Sequence, residues 1–216
     1  MAPKDRKAAD AATALHRKGK LDEARAGYVA YLDQNPTDAS IWSNLGALFR
    51  SQGLYEQARR AQERAHALRP DDAGIRNNYA NILSDLGDYD RSIALRRAAL
   101  ADDATHLMHH AMIGRCERGK GDYRAAIDYL APKVAEYPQE PEIELQLAFA
   151  QLGAGIYGPA FRSYRARWRC DEMTPRKIDL PAWQDGDSLT GKTVLVLPEQ
   201  GFGDAILFAR FVPDLA

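Results

Sequence analysis

The stretch "IWSNLGALFRSQGLYEQARRAQERAHALRP", residues 41–70, decides the fold. Its apolar residues recur at helical spacing and predict a first helix that ends before Gly53, where a left-handed residue is favoured. A second helix is predicted from about Tyr55 to Leu68, and Pro70 breaks the chain after it. The stretch therefore predicts a pair of antiparallel helices.

The same pattern repeats along the chain with a period of 34 residues. One column is glycine throughout: Gly19, Gly53, Gly87, Gly121 and Gly155. Two columns hold small residues: Ala12, Gly46, Ala80, Gly114 and Ala148, and then Ala24, Ala58, Ser92, Ala126 and Ala160. A fourth column holds a leucine and tyrosines: Leu21, Tyr55, Tyr89, Tyr123 and Tyr157. Small residues let paired helices approach closely, and each hairpin must stack on its neighbours to bury its apolar face.

Residues 41–70 resemble the tetratricopeptide repeat family, whose W-x-x-L-G-x-x-F pattern, mid-repeat alanine and closing proline all occur there. The resemblance covers residues 5–174 as five repeats: 5–38, 39–72, 73–106, 107–140 and 141–174. It implies an all-α fold, a right-handed superhelix of five helix hairpins with ten antiparallel helices ahead of Gly191. The third repeat has Arg76 in place of tryptophan and Ala104 in place of proline, and the fifth has Glu172 for proline. The register continues through these departures.

The resemblance also implies a binding groove, because the first helix of each pair lines the concave face in this family. Asn44, Asn78 and Gln146 share one repeat column. Asn77 and Asn81 lie on the same helix as Asn78. These amides can donate to and accept from a peptide backbone of any sequence. "WSNLG" is similar to the repeats of O-linked N-acetylglucosamine transferases, in which an asparagine column holds extended polypeptide; the alternative is a solvated polar face.

Three histidines lie at helical spacing: His106, His109 and His110. Such spacing can bind a metal ion, but His110 falls in a packing column and no third ligand is suitably spaced. We therefore expect surface histidines at a helix start, and no metal site.

A basic run lies along the last predicted helix and its exit, with Arg162, Arg165, Arg167, Arg169, Arg176 and Lys177. Such a run is usually a solvated face or a seam with a following domain, and phosphate binding is the secondary alternative.

The stretch "GDSLTGKT", residues 186–193, matches the G-x-x-x-x-G-K-T expression of a phosphate-binding loop. A working loop of this kind lies between a strand and the start of a helix. Here no strand pattern precedes it and the strand-like "TVLVL" follows Lys192, so we expect no ATP binding and keep it only as the alternative.

Residues 193–197 predict a parallel strand, residues 198–203 a turn, and Asp204 the cap of a following helix. In context, residues 167–216 resemble the junction of bacterial proteins that join such repeats to a two-Rossmann glycosyltransferase domain related to the heptosyltransferases. The resemblance implies that Asp204 is a general base for sugar transfer. Its loop would contact the acceptor through Glu199, Gln200, Gly201 and Gly203. For Asp204 the alternative is helix capping alone, and both roles can coexist.

The resemblance implies that residues 193–216 begin a Rossmann-like β-α unit that is incomplete, after a linker at residues 175–192. A complete enzyme would bind a nucleotide sugar in a second Rossmann domain, whereas no cofactor is expected in this chain, which would be inactive alone. Apolar residues of the unit would be exposed unless they dock on the last repeat: Val194, Val196, Ile206, Phe208 and Phe211. We therefore expect docking or self-association.

Composition narrows the partner class. The formal net charge is -1, which gives no electrostatic reason to expect nucleic acid. Cys116 and Cys170 are too few for a disulfide framework, and no apolar run approaches the roughly 18 residues that span a bilayer. These features predict a cytoplasmic protein without a membrane span.

Two functions remain open at this point. One is a repeat scaffold that recruits a protein acceptor for a glycosyltransferase. The other is an adaptor that only binds a protein or extended peptide, with no enzymatic role.

Overall fold

The structure is a computed structural model that describes residues 6–170, 178–181, 183, 186–197 and 201–215. Ten α-helices occupy residues 6–170 and are numbered in chain order: α1 Arg6–Arg17, α2 Leu21–Gln34, α3 Ala39–Ser51, α4 Tyr55–Leu68, α5 Ala73–Asp85, α6 Tyr89–Asp102, α7 Met108–Gly119, α8 Tyr123–Glu136, α9 Pro141–Gly153 and α10 Tyr157–Tyr164. They confirm the predicted all-α hairpin repeat. The chain divides into two compact units, Met1–Pro175 and Arg176–Ala216.

The turn inside each hairpin depends on the glycine column. All five of its glycines have φ between 72° and 82°, in the left-handed region. In the second hairpin, the N–H of Gly53 donates to the carbonyl of Arg50 at 3.0 Å, and the N–H of Leu54 donates to that of Phe49 at 2.9 Å. This is a Schellman ending, which satisfies the last carbonyls of the helix. The same pair of bonds recurs at the other four turns.

Between hairpins, acidic side chains start the next helix. Asp38 accepts from the backbone N–H of Ser40 at 3.1 Å and of Ile41 at 3.3 Å, at the start of α3. Asp72 accepts from the N–H of Ile75 at 3.1 Å at the start of α5. Such caps satisfy N–H groups that have no partner within the helix.

The small-residue columns form the closest helix contacts. The five residues of the second small column are all 0% exposed. A Cβ on Gly114 would lie 2.4 Å from Cδ1 of the buried Leu130, so α7 and α8 touch at this glycine. The tyrosine column packs between hairpins, since a Cβ on Gly153 would lie 2.2 Å from the ring of Tyr123. The predicted use of both columns is confirmed at these positions.

Arg76 takes over a contact made elsewhere by tryptophan. Trp42 Nε1 donates to the carbonyl of Pro36 at 3.0 Å. In the next repeat, Arg76 Nη2 donates to the carbonyl of Pro70 at 3.3 Å, and its other nitrogen pairs with Asp102. Both side chains satisfy a carbonyl six residues earlier, which explains how the register continues with arginine in this column.

The prediction for the C-terminal unit is wrong in two respects. Residues 193–197 do not form a strand, because a strand requires a neighbour to pair its backbone N–H and C=O groups, and the described residues of this unit supply none. An apolar run in the sequence indicates only that its residues tend to be buried, and not that they pair with another strand. The following helix, α11 Phe202–Ala209, begins two residues before Asp204, so this residue lies in the first turn rather than at the cap.

Candidate functional site

The first helices of successive hairpins line two adjoining cavities. The α3–α5 cavity has a volume of about 330 Å³ and contains the predicted groove residues Asn78 and Asn81. The α5–α7 cavity has a volume of about 390 Å³, and both cavities share Tyr55 and Asp85 in their linings. The structure therefore gathers part of the predicted amide set along a polar groove.

The five predicted groove residues have different environments. Asn78 Nδ2 donates to Ser43 Oγ at 3.0 Å, and Asn81 Oδ1 accepts from Arg96 at 2.7 Å. Asn44 is half-buried and Asn77 is exposed, and neither lines the two cavities.

Gln146 differs from these asparagines in its hydrogen bonds. It is 6% exposed, and its Oε1 accepts from Arg118 at 3.3 Å while its Nε2 donates to Glu142 at 2.8 Å. Both ends of its amide are thus bonded within the protein.

Sequence reasoning missed the arginines of the groove. Arg50 lines the α3–α5 cavity, and Arg115 and Arg118 line the α5–α7 cavity. The repeat register contains the signal, since Arg50 and Arg118 share a column and Arg115 shares one with Asn81. Reading every first-helix column, and not only the amide column, would have found them.

The charges of the groove are only partly balanced. Arg50 Nε pairs with Asp85 Oδ2 at 2.5 Å, and this hydrogen bond raises the pKa of the arginine. Arg118 has no carboxylate partner among the described residues; its guanidinium lies 5.4 Å from the ring centre of Phe149, and burial lowers its pKa. The α5–α7 cavity is therefore cationic.

The expectation that the three histidines lie at the surface is wrong for two of them. His109 is 9% and His110 7% exposed, because the start of α7 packs against its neighbours rather than facing solvent. His110 Nδ1 lies 2.7 Å from Tyr129 Oη, and burial, followed by the charge of Arg96, lowers the pKa of His109 to about 4. Only His106 is exposed, and it pairs with Asp103 at 2.9 Å. Within the described ranges, no group of three or more His, Cys, Asp or Glu side chains could hold a metal ion.

One arginine of the basic run, Arg169, makes contacts within the repeats. Helix α10 ends at Tyr164 and continues as a 3₁₀ turn, Arg165–Arg169. Arg169 pairs with Glu144 and donates to the carbonyl of Pro138 at 3.3 Å. Arg176 and Lys177 lie outside the described residues.

The predicted acceptor loop is described only in part. Gly201 and Gly203 are exposed, and the carbonyl of Gly201 accepts from the N–H of Ala205 at 3.1 Å. Glu199, Gln200 and the side chain of Asp204 lie outside the described residues.

Apolar side chains of this unit are exposed. The exposed fractions are 45% for Val194, 52% for Val196, 77% for Ile206 and 47% for Phe211. Phe208 belongs to the same predicted set, and its side chain lies outside the described residues. The residues after Lys192 are not helical through position 197, which leaves the phosphate-loop expression at 186–193 without the helix it requires.

Comparison with known proteins now identifies the class. The tetratricopeptide repeat family model matches residues 9–73 and 77–141. Together these segments cover more than half of the chain, and the chain belongs to the tetratricopeptide repeat family.

Two curated proteins are similar to this chain over part of their length. The chain is 26% identical over 208 residues to Protein FlbA of Caulobacter vibrioides, a match that covers 90% of this chain and 34% of that protein. It is 24% identical over 131 residues to the human Protein O-mannosyl-transferase TMTC1, covering 59% of this chain and 15% of that one. The chain thus spans about a third of FlbA and a smaller part of TMTC1.

Among solved structures, MamA from Desulfovibrio magneticus RS-1 superposes with a TM-score of 0.67 at 16% identity, covering 76% of this chain and 94% of that one. YrrB, a repeat protein described as having an unusual peptide-binding site, superposes with a TM-score of 0.60 at 14% identity, covering 75% and 84%. These likenesses concern the fold. Among the described residues, no helix combines the length and apolarity required to cross a bilayer.

Proposed function

We propose that the repeats form a scaffold that binds an extended segment of another protein along the first helices. The observation that carries this proposal is the pair of adjoining cavities, about 330 and 390 Å³, on helices that succeed one another along the repeat. An extended chain exposes backbone N–H and C=O groups at regular intervals, and side-chain amides can bond to both.

Asn44 and Asn78, which share one repeat column on α3 and α5, are the amides we expect to contact the bound backbone. Asn78 donates one N–H to Ser43 Oγ, and among the described residues no donor bonds to its carbonyl oxygen or to the side chain of Asn44. Asn77 and Asn81 would extend the same surface. Gln146 would have to exchange its internal partners to join it.

The test is a binding measurement on the amide column. Extended peptides selected from a random display library are titrated against the wild type and an Asn44→Ala/Asn78→Ala variant. Each hydrogen bond is worth about 0.5–1.5 kcal/mol, so the double variant should bind roughly tenfold more weakly. Gln57→Ala, which removes an exposed amide on α4, is the matched control and should bind as the wild type does. Equal binding by all three proteins would contradict the proposal, and so would the failure to select any peptide.

We further propose that this scaffold recruits the protein acceptor of a glycosyltransferase. One observation supports the proposal: a relative that matches 59% of this chain at 24% identity is named as a protein O-mannosyl-transferase. A nucleotide sugar would bind in a further domain. Asp204 would accept the proton of the acceptor hydroxyl as the sugar is transferred, with Glu199, Gln200, Gly201 and Gly203 at the acceptor.

The full-length gene product tests this second proposal. Incubation with nucleotide sugars and a selected acceptor should give sugar transfer, which Asp204→Asn should abolish while peptide binding by the repeats persists. Binding without any transfer would support the adaptor function instead, and an active Asp204→Asn enzyme would exclude this residue as the base.

The exposed apolar residues of the C-terminal unit also suggest that the protein associates with itself. The two free cysteines suggest a cytoplasmic location. A sedimentation experiment at two protein concentrations should detect the self-association. The Ile206→Ser/Phe211→Ser variant should sediment as a monomer at both concentrations.

A further inference from the structure

The groove contains more positive charge than its own carboxylates balance. The side chains of Arg50, Arg115 and Arg118 line it, and the carboxylate that lines it with them is Asp85. Asp85 is already bonded to Arg50 by two contacts, at 2.5 and 3.3 Å. Arg115 is exposed, and neither it nor Arg118 pairs with a carboxylate of the described residues. The excess lies on α7.

A buried arginine lies behind this surface. Arg96 on α6 is 2% exposed and donates to Asn81, which itself lines the α3–α5 cavity. It also contacts His109 Nδ1 at 3.5 Å and the thiol of Cys116, and its Nε has no hydrogen-bond partner among the described residues. Burial lowers the pKa of Arg96, the neighbouring Cys116 raises it in part, and the charges of Arg115 and Arg50 lower it further. Two arginines of the groove therefore repel the charge of Arg96, and no described carboxylate pairs with it.

Such an arrangement is costly unless an anion completes it. Removing a charge from water without a paired partner costs several kcal/mol, and additional like charges increase that cost. Among the described residues, two buried donors lack acceptors: Nε of Arg118, which lines the α5–α7 cavity, and Nε of Arg96, which lies behind Asn81. A ligand that places negatively charged acceptor oxygens in the groove would balance these charges.

We infer that the groove along α3, α5 and α7 binds an acidic segment of the partner polypeptide, whose side-chain carboxylates meet Arg115 and Arg118. This inference rests on the proposed peptide-binding function and specifies the partner's chemistry. Neighbouring packed helices lie about 8–10 Å apart, so three first helices span roughly 20 Å, the length of about six extended residues. That length suits a peptide segment, with Asn78 and Asn81 for its backbone and the arginines for its carboxylates.

The experiment uses two labelled peptides of the same length. One is an eight-residue peptide of alternating glutamate and serine, blocked at both ends, and the other has glutamine in place of glutamate. Fluorescence anisotropy should show binding of the glutamate peptide at least tenfold tighter at 50 mM than at 300 mM salt. The glutamine peptide should bind at least tenfold more weakly than the glutamate peptide at low salt.

Variants locate the site. The double variant Arg115→Gln/Arg118→Gln should bind the glutamate peptide at least tenfold more weakly than the wild type and bind the glutamine peptide equally well. Arg60→Gln, which removes an exposed charge on α4, should change the affinity for neither peptide. A thermal melt of each free variant shows that it is folded, and the glutamate peptide should raise the unfolding midpoint of the wild type but not of the double variant.

Three outcomes would overturn the inference. Equal affinity for the two peptides would show that their charge plays no role. If Arg60→Gln weakened binding of the glutamate peptide as much as the double variant does, the effect of charge would be non-specific. Full competition by millimolar inorganic phosphate or free glutamate would reveal a small-anion site rather than peptide recognition. If the display-selected peptides still bind through Asn44 and Asn78 in these cases, the acidic-partner inference fails while the proposed function stands.

Discussion

The substitution Gly53→Ala isolates the energetic role of the turn glycine. Gly53 has a φ of +72°, and a Cβ built on it finds no atom within 4 Å. The change therefore introduces no clash, and its whole effect comes from placing an L residue in the left-handed region. That conformation costs roughly 1–2 kcal/mol for a residue with a Cβ. We expect the free energy of unfolding to fall by about that amount.

A second glycine provides the matched control. Gly74 lies in α5 outside the left-handed region, and a Cβ there would meet Asp72 Oδ1 at an ordinary 3.4 Å. The same chemical change, Gly74→Ala, should stabilise the helix by roughly 0.5–1 kcal/mol, because glycine loses more backbone entropy on folding. Gly53→Asn should lose less than Gly53→Ala, since asparagine tolerates the left-handed region better.

Urea unfolding followed by circular dichroism measures all three variants. The midpoint should move down for Gly53→Ala and up for Gly74→Ala, with an unchanged dependence on urea. In a protein of this size, a loss of 1 kcal/mol should also lower the thermal midpoint by about 2–4 °C. If Gly53→Ala is as stable as the wild type, or if Gly74→Ala loses as much, the backbone explanation of the 34-residue glycine column is wrong.

Three further predictions concern packing, the altered repeat and pH. Gly114→Ala should cost about 1–3 kcal/mol by overpacking against Leu130, and the double variant with Leu130→Ala should lose less than the sum of the two single losses, as urea midpoints will show. Arg76→Ala should cost about 1–3 kcal/mol, whereas Arg76→Trp should recover part of the loss because an indole N–H can reach the same carbonyl, as Trp42 does; a tryptophan variant no better than alanine would contradict this. Because the pKa of His109 is about 4 in the folded protein and 6.5 in the unfolded chain, the unfolded state binds more protons between these values. Stability should therefore fall as the pH drops from 6.5 to 4, and His109→Gln should flatten this dependence in urea titrations at pH 7 and 4.5; an unchanged dependence would refute the assignment.

The repeat could be predicted because its signals are local and periodic. A glycine at a helix end, an acidic cap and an alanine at a helix crossing each act within a few residues. Gly53, Asp72 and Ala58 illustrate the three types; the glycine and the small residue recur in all five repeats, and the acidic cap recurs at Asp38. Stacking then follows, since each hairpin has one apolar face to bury.

Two of the predicted groove amides line a cavity, but the charge around them was not predicted from the sequence. Asn78 and Asn81 line this cavity, yet the decisive contacts join residues far apart in sequence, such as Arg118 with Gln146. Arg96 occupies a position in the second helix of its repeat that the periodic pattern does not mark. Its burial depends on what neighbouring hairpins place around it.

By itself, therefore, the sequence determined the helix hairpins, their period and the turns between them, because backbone conformation and helix capping depend on adjacent residues. Only the tertiary structure decided which histidines are buried, which cations lack partners and that residues 193–197 form no strand. Burial, charge pairing and strand formation each require a second segment of chain. A residue's own sequence neighbourhood does not say which segment that is.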